Sequence, residues 1–203
     1  EMVVDEGDPY SALLVNKSIN KLKARRIFGK IDKKIIEGSL PNFKVLEISV
    51  EEKATGELMA GVGVGTDGTS FMFAITENNW LGKGIKLNSS LNLTAETISG
   101  GIDLGDPNYK SSGKAVFGSL NIASADLTGT SGYESKKTGG SLGTRFEQYE
   151  DIYFSPSIAA SYETIEAQSS ASAAIKKMEG TFTNMDFTYA ITMDKRNQVF
   201  QPS

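Results

Sequence analysis

The sequence predicts a mainly β protein: a small α+β unit over residues 1–56, then about eight antiparallel strands over residues 57–203. Three observations carry that expectation. Apolar residues recur at helical spacing in one segment near the N-terminus, and the pattern disappears after Gly56. From there apolar and polar residues alternate with period two, as a half-buried strand requires. Pieces rich in Gly, Asn, Asp and Ser punctuate the alternating segments and read as turns.

Residues 11–26, SALLVNKSINKLKARR, place Leu14, Val15, Ile19 and Leu22 on one helical face. Pro9 limits the entry, Ser11 is a candidate N-cap, and Lys and Arg crowd the last turn where the helix dipole favours cations. FGKIDKKIIEG and FKVLEISVEEK then read as two strands joined by the turn LPN at residues 40–42. In the second of them Leu46, Ile48 and Val50 alternate with Glu47, Ser49 and Glu51, so one face is buried.

Beyond Gly56 the expected strands begin with Leu58–Gly65 and Ser70–Thr76. IKLNSSLNLTA follows, with Ile85, Leu87, Leu91 and Leu93 on one side. TISGGIDL (Ile98, Ile102, Leu104) and KAVFGSLNIAS (Val116, Leu120, Ile122) repeat the alternation. TGGSLGTRFEQY (Leu142, Phe146) and SPSIAASYET (Ile158, Tyr162) continue it more weakly, and FTYAITMD closes with Phe187, Tyr189, Ile191 and Met193. TDG, NNWLGKG, GDPNYKSSG, DLTGTSGYESKK and QSSASAAIKKMEG are the connecting pieces.

Composition excludes several function classes. With no Cys and no His, the chain has no disulfide, no thiolate zinc site, and neither the commonest general base nor the commonest metal ligand. Asp103 and Asp106 belong to no constellation of recognisable spacing, so no catalytic, cofactor or metal residue is assigned and an enzyme is not expected. Residues 1–56 hold ten of the 21 Lys+Arg and nine of the 25 Asp+Glu, which is no basic footprint for nucleic acid. No run approaches the roughly 20 apolar residues of a transmembrane helix, but a membrane β-barrel needs only half that signal per strand. The chain starts EMVVDEGDPYS, with no start methionine and no signal peptide, and stops at FQPS after a patterned strand; it reads as a fragment.

Gly63, Gly65 and Gly68 in LMAGVGVGTDGTSFMFAIT match the G-x-G-x-x-G spacing of a dinucleotide loop. That fingerprint requires a helix immediately after the glycines. TSFMFAIT alternates instead, and Asp67-Gly68 signals a hairpin, so the match is accidental. Gly61, Gly63 and Gly65 share a face with Met59, while Leu58, Ala60, Val62 and Val64 take the other. Two readings stay open: the glycines make room inside a crowded lumen, or they weaken an edge strand that must open and pair elsewhere.

The alternating faces fit a soluble sandwich or a membrane barrel. The central apolar faces carry no charge and the opposite faces are rich in Ser, Thr, Asn and Gly, which suits a barrel and leaves a sandwich possible.

GELMAGVGVGTDGTSFMFAITENNWLGKG resembles the start of the barrel in BamA-type outer-membrane assembly factors. It has their glycine-alternating first strand, short hairpin, and N-[WF]-L-G-x-G turn, here Asn79, Trp80, Leu81, Gly82, Lys83 and Gly84. DEGDPYS is similar to the middle of a POTRA (polypeptide-transport-associated) domain, and GDPNY to the family's [TND]-x-P-[YF] turn. Tyr189, Asp194, Arg196, Phe200 and Pro202 match its Y-x-x-x-x-D-x-R-x-x-x-F-x-P stretch. The resemblance spans essentially the whole chain in order and departs at both ends. It implies that 1–56 is a partial last POTRA domain in the periplasm and 57–203 the first half of an outer-membrane barrel. It also implies folding and insertion of unfolded outer-membrane barrel clients, with outer-membrane lipid and accessory assembly lipoproteins as further partners and no cofactor.

On that resemblance Leu58, Met59, Ala60, Gly61, Val62, Gly63, Val64 and Gly65 form the client-pairing edge strand. Trp80 is either an interfacial anchor or a packing residue at the turn. Asp194 and Arg196 either contact an inward loop of the barrel or form a strand-end charge pair. Lys21–Arg26 either meet a lipoprotein or form a solvated helix end. The rival functions are a POTRA-containing secretion transporter and a complete eight-stranded structural barrel whose first and last strands pair.

Overall fold

The computed structural model describes residues 2–39, 43–65 and 68–195. Helix α1 runs Ala12–Ala24 and is capped by Ser11, whose hydroxyl accepts from the Leu14 N–H at 3.4 Å. Its buried face is Val15, Ser18 and Ile19. Ser18 was absent from the apolar face expected from spacing, yet it is fully buried because both its hydrogen-bonding roles are filled. Its hydroxyl donates to the Leu14 carbonyl at 3.0 Å and accepts from the Val3 N–H at 2.9 Å, which fastens the N-terminal segment to the helix. Strands β1 (Phe28–Glu37) and β2 (Lys44–Glu52) pair antiparallel as a separate two-stranded sheet. The LPN turn expected between them lies outside the described residues.

The second sheet contains β3 (Gly56–Gly65), β4 (Gly68–Trp80), β5 (Ile85–Leu93), β6 (Thr97–Asp106), β7 (Ala115–Leu127), β8 (Tyr133–Tyr149), β9 (Ile152–Ala167) and β10 (Gly180–Met193). Each strand pairs antiparallel with its sequence neighbours, giving the order β10-β9-β8-β7-β6-β5-β4-β3. The strands run longer than the alternation suggested. Asn78, Asn79 and Trp80 extend β4, and Tyr133–Lys137 open β8, although both pieces read as turns in sequence. Tyr133–Lys137 join a ladder because Ala123–Leu127 supply backbone partners, whereas Asn78 and Asn79 form a bulge before Trp80 pairs with Ile85. The QSSASAAIKKMEG connection also contains a short helix, α2 (Ala173–Lys177), capped by the Ser172 hydroxyl, which accepts from the Ile175 N–H at 3.3 Å.

Both faces follow the pleat. Ile102 stands opposite Leu120 and Leu142 opposite Ile158, all on one face, with Leu142 two residues along β8 from Gly140, the partner of Leu120. The other face is small and polar, with Ser119 and Ser141 sharing a hydrogen bond at 2.7 Å. Leu120 and Leu142 are 69% and 67% exposed, whereas Gly139 on the small-residue face is buried. Glycines let leucines lie flat on that apolar wall: a Cβ on Gly140 would stand 3.0 Å from Leu120 Cδ2, and one on Gly118 3.0 Å from Leu142 Cδ2.

Ionic groups collect towards the Tyr133 end of β8 and the Ala167 end of β9. The two strands have 17 and 16 residues against nine in β5, and these ends carry Glu134, Lys136, Lys137 and Glu163. Lys137 pairs with Glu163 at 3.6 Å.

Among the described residues strands β3 and β10 each have one neighbour and are not paired with each other. The described sheet is therefore not the closed eight-stranded barrel considered from the sequence. In lipid each unpaired backbone group costs several kcal/mol. Residues 1–203 refolded alone into detergent are accordingly expected to give no heat-modifiable band on a cold gel; a compact, heat-sensitive species would overturn this expectation.

Candidate functional site: a free strand edge and its turn

The residues singled out as an edge strand form β3, which among the described residues is paired on one side only. Its ladder with β4 is unbroken from Gly56 opposite Glu77 to Gly65 opposite Gly68. Asp67 of the expected hairpin lies outside the described residues; Gly68, with φ +90°, starts a strand and not a helix, in keeping with the rejected dinucleotide motif. Leu58, Ala60 and Val62 stand opposite Ile75, Phe73 and Phe71, so the apolar wall reaches the edge. On the other face Met59, Gly61 and Gly63 stand opposite Ala74, Met72 and Ser70.

The glycines of β3 are not equivalent. A Cβ on Gly63 would fall 2.7 Å from Ser70 Oγ, whose hydroxyl donates to the Gly63 carbonyl at 3.4 Å. Gly63 therefore makes room for a neighbour. Gly61 would bring its Cβ into ordinary contact with Met72 Cε at 3.7 Å, and Gly65 has nothing within 4 Å. Crowding does not require glycine at those two positions. What glycine supplies there is a backbone more costly to order and easier to peel.

The turn after β4 is built from backbone conformation. Leu81, Gly82 and Gly84 all have positive φ, at 57°, 70° and 66°. The Asn79 side-chain oxygen accepts from the Gly84 N–H at 2.7 Å, and its carbonyl accepts from the Gly82 N–H at 2.9 Å. Asn79 thus closes the loop twice. Leu81 holds the left-handed region at a cost of roughly 1–2 kcal/mol and is 71% exposed. Trp80 is partly exposed beside Leu81, Ile85 and Tyr109, at the mouth of a shallow groove that crosses the apolar wall as far as Met185. That location suits an interfacial ring.

One connection escaped the sequence reading. Glu77 follows Ile75 on the apolar face, one place beyond the band, and its carboxylate accepts from the Thr55 hydroxyl and from the Asn79 N–H at 2.6 Å. Asn78 Nδ2 donates to the Thr55 carbonyl at 3.5 Å. The only sequence signal was a carboxylate breaking the parity of Phe71, Phe73 and Ile75. Asp194 follows β10, and its N–H donates to the Asp151 carbonyl at 2.9 Å; Arg196, its expected companion, lies outside the described residues.

An uncharged apolar wall, a small polar face and strands long enough to span a bilayer together define the wall of a membrane β-barrel, open at two edges. The chain belongs to the Omp85 superfamily, whose domain model matches residues 59–203. Its structure resembles the crystal structure of BamA from Haemophilus ducreyi lacking POTRA domains 1–3, with TM-score 0.73, 17% identity and 99% of this chain aligned. It also resembles CdiB from Acinetobacter baumannii, with TM-score 0.55, 12% identity and 97% coverage. The chain spans 42% and 40% of those two chains. At such identities the likeness shows the fold: a large antiparallel sheet corresponding to part of an outer-membrane barrel.

Proposed function

We propose that this chain is the seam-bearing half of a barrel that folds and inserts other β-barrel proteins into the outer membrane. In this reading residues 1–56 are a partial last POTRA domain in the periplasm and 57–203 the first eight barrel strands. Unfolded barrel clients pair with β3, and accessory assembly lipoproteins meet the periplasmic unit. The single observation that carries the reading is the free edge of β3, half-stripped of side chains at Gly61 and Gly65 without a packing need. An edge strand is a template for another chain, and in lipid the exchange of an imperfect seam for a client strand needs neither nucleotide nor covalent step. Backbone hydrogen bonds supply affinity in such augmentation, so side chains at the edge can be spared.

The test is reconstitution of the intact protein in vesicles supplied with a urea-unfolded barrel client. Faster acquisition of protease resistance and heat-modifiable migration than in empty vesicles is the expected result. No acceleration, with passage of a soluble substrate across the vesicle wall instead, would favour the second reading, a secretion transporter. The likeness to CdiB supports that second reading.

A further inference from the structure

We propose that Arg25 is a positioning residue whose guanidinium seats on the bare backbone of Gly84 and fixes the attitude of the N-terminal α/β unit against the first turn of the sheet. Arg25 is the C-cap of α1, still in the right-handed region, and Arg26 turns left-handed at φ +59° to end the helix. The helix terminus therefore aims Arg25 while the chain departs in another direction.

Gly84 is buried, although it belongs to a tight turn. A Cβ built on it would fall 3.1 Å from Arg25 Cζ and closer still to Nη2. Gly82, two residues earlier in the same turn and with nearly the same positive φ, would meet nothing within 4 Å. The two glycines thus have different reasons to be glycine: backbone conformation alone at 82, conformation and close approach at 84. A guanidinium is flat and presents its donors in a fixed fork, so it can lie on a peptide surface from which any side chain would displace it.

A second tether lies beside this one. Thr55, the residue before β3, is held to Glu77 through its hydroxyl and to Asn78 through its carbonyl. Thr55 alone is a pivot, since units joined by a short linker and a small interface move relative to one another. Arg25 on Gly84 adds a separate point of attachment from the helix side, and two points remove the swing that one permits. The inference concerns the placement of the unit and holds for an assembly factor and a secretion transporter alike, so its failure is separable from failure of the functional reading.

Spin labels on Lys17→Cys in α1 and Glu150→Cys in the turn between β8 and β9 test it, in the intact protein in lipid nanodiscs. Both positions are exposed, and residues 1–203 contain no cysteine. Arg25→Ala and Gly84→Ala are each expected to broaden the label–label distance distribution roughly two-fold, whereas Gly82→Ala, with the same backbone strain, leaves it unchanged. Heat-modifiable migration confirms that each variant is folded, and Arg25→Ala decides the matter if Gly84→Ala does not fold. An unchanged width in Arg25→Ala would overturn the proposal, as would equal broadening by the two glycine variants.

Discussion

Proline substitutions walked through β3, from Leu58 to Val64, are expected to abolish client insertion at every second position while the barrel itself still folds. Successive residues of an antiparallel strand direct their N–H groups to opposite edges. At one parity proline deletes a donor from the β3–β4 ladder, which runs unbroken along the strand. At the other parity it deletes a donor from the edge that has no partner among the described residues. The first class should lower the unfolding midpoint, because a buried ladder bond is lost. The second class should leave the midpoint nearly unchanged and slow client folding at least about ten-fold, since an unpaired group in lipid costs several kcal/mol and about 1.4 kcal/mol is a factor of ten. Both are read on one set of variants, by urea titration of the reconstituted protein and by the client-folding assay. If insertion tracks stability at every position, with no alternation, edge templating at β3 is wrong.

That experiment is possible because the pattern of β3 was legible before its structure. Period two at Leu58, Ala60, Val62 and Val64 fixed both strand and face, and the missing helix after Gly68 disposed of the cofactor motif. The sequence could not separate the two explanations of the glycines, because each depends on what the opposite strand places over them. Ser70 leans on Gly63, so close approach accounts for that glycine, while nothing stands over Gly65. Strand ends were least legible. Asn78–Trp80 and Tyr133–Lys137 look like turns because their side chains alternate nothing apolar, yet the first is a bulge from which Trp80 rejoins Ile85 and the second pairs with Ala123–Leu127. The short helix at Ala173–Lys177 is below the length at which periodicity registers.

The joint between the N-terminal unit and the sheet was invisible for a related reason. Contacts such as Thr55 with Glu77, or Arg25 over Gly84, involve polar residues that no periodicity distinguishes from solvated ones. The turn motif itself was legible as a string of residues, but not the reason for its last glycine. Two glycines of similar φ look identical in sequence, and only the neighbour brought in by α1 separates them.

A cation placed on the apolar wall provides the sharpest test that this wall faces lipid. Leu120→Arg is expected to destabilise the reconstituted barrel by about 2–4 kcal/mol, the cost of an arginine on the lipid face near the bilayer midplane. Asn121→Arg, one residue further along the same strand, points to the small polar face and should cost under about 1 kcal/mol if that face is wet. A one-residue step in a strand changes the face but hardly the depth, so the difference isolates the medium each side meets. Leu120 is the apt site: it lies in the uncharged band, opposite Ile102 on β6 and Gly140 on β8, and is 69% exposed. Such exposure of a leucine is costly in water and neutral in lipid. Urea unfolding in vesicles of two thicknesses supplies the measurement. The Leu120→Arg penalty should grow in the thicker bilayer, where the site is further from headgroups, and the Asn121→Arg penalty should not. Equal penalties at the two positions would mean that the apolar wall meets protein or water instead of acyl chains, and the membrane assignment of β3–β10 would fail with it.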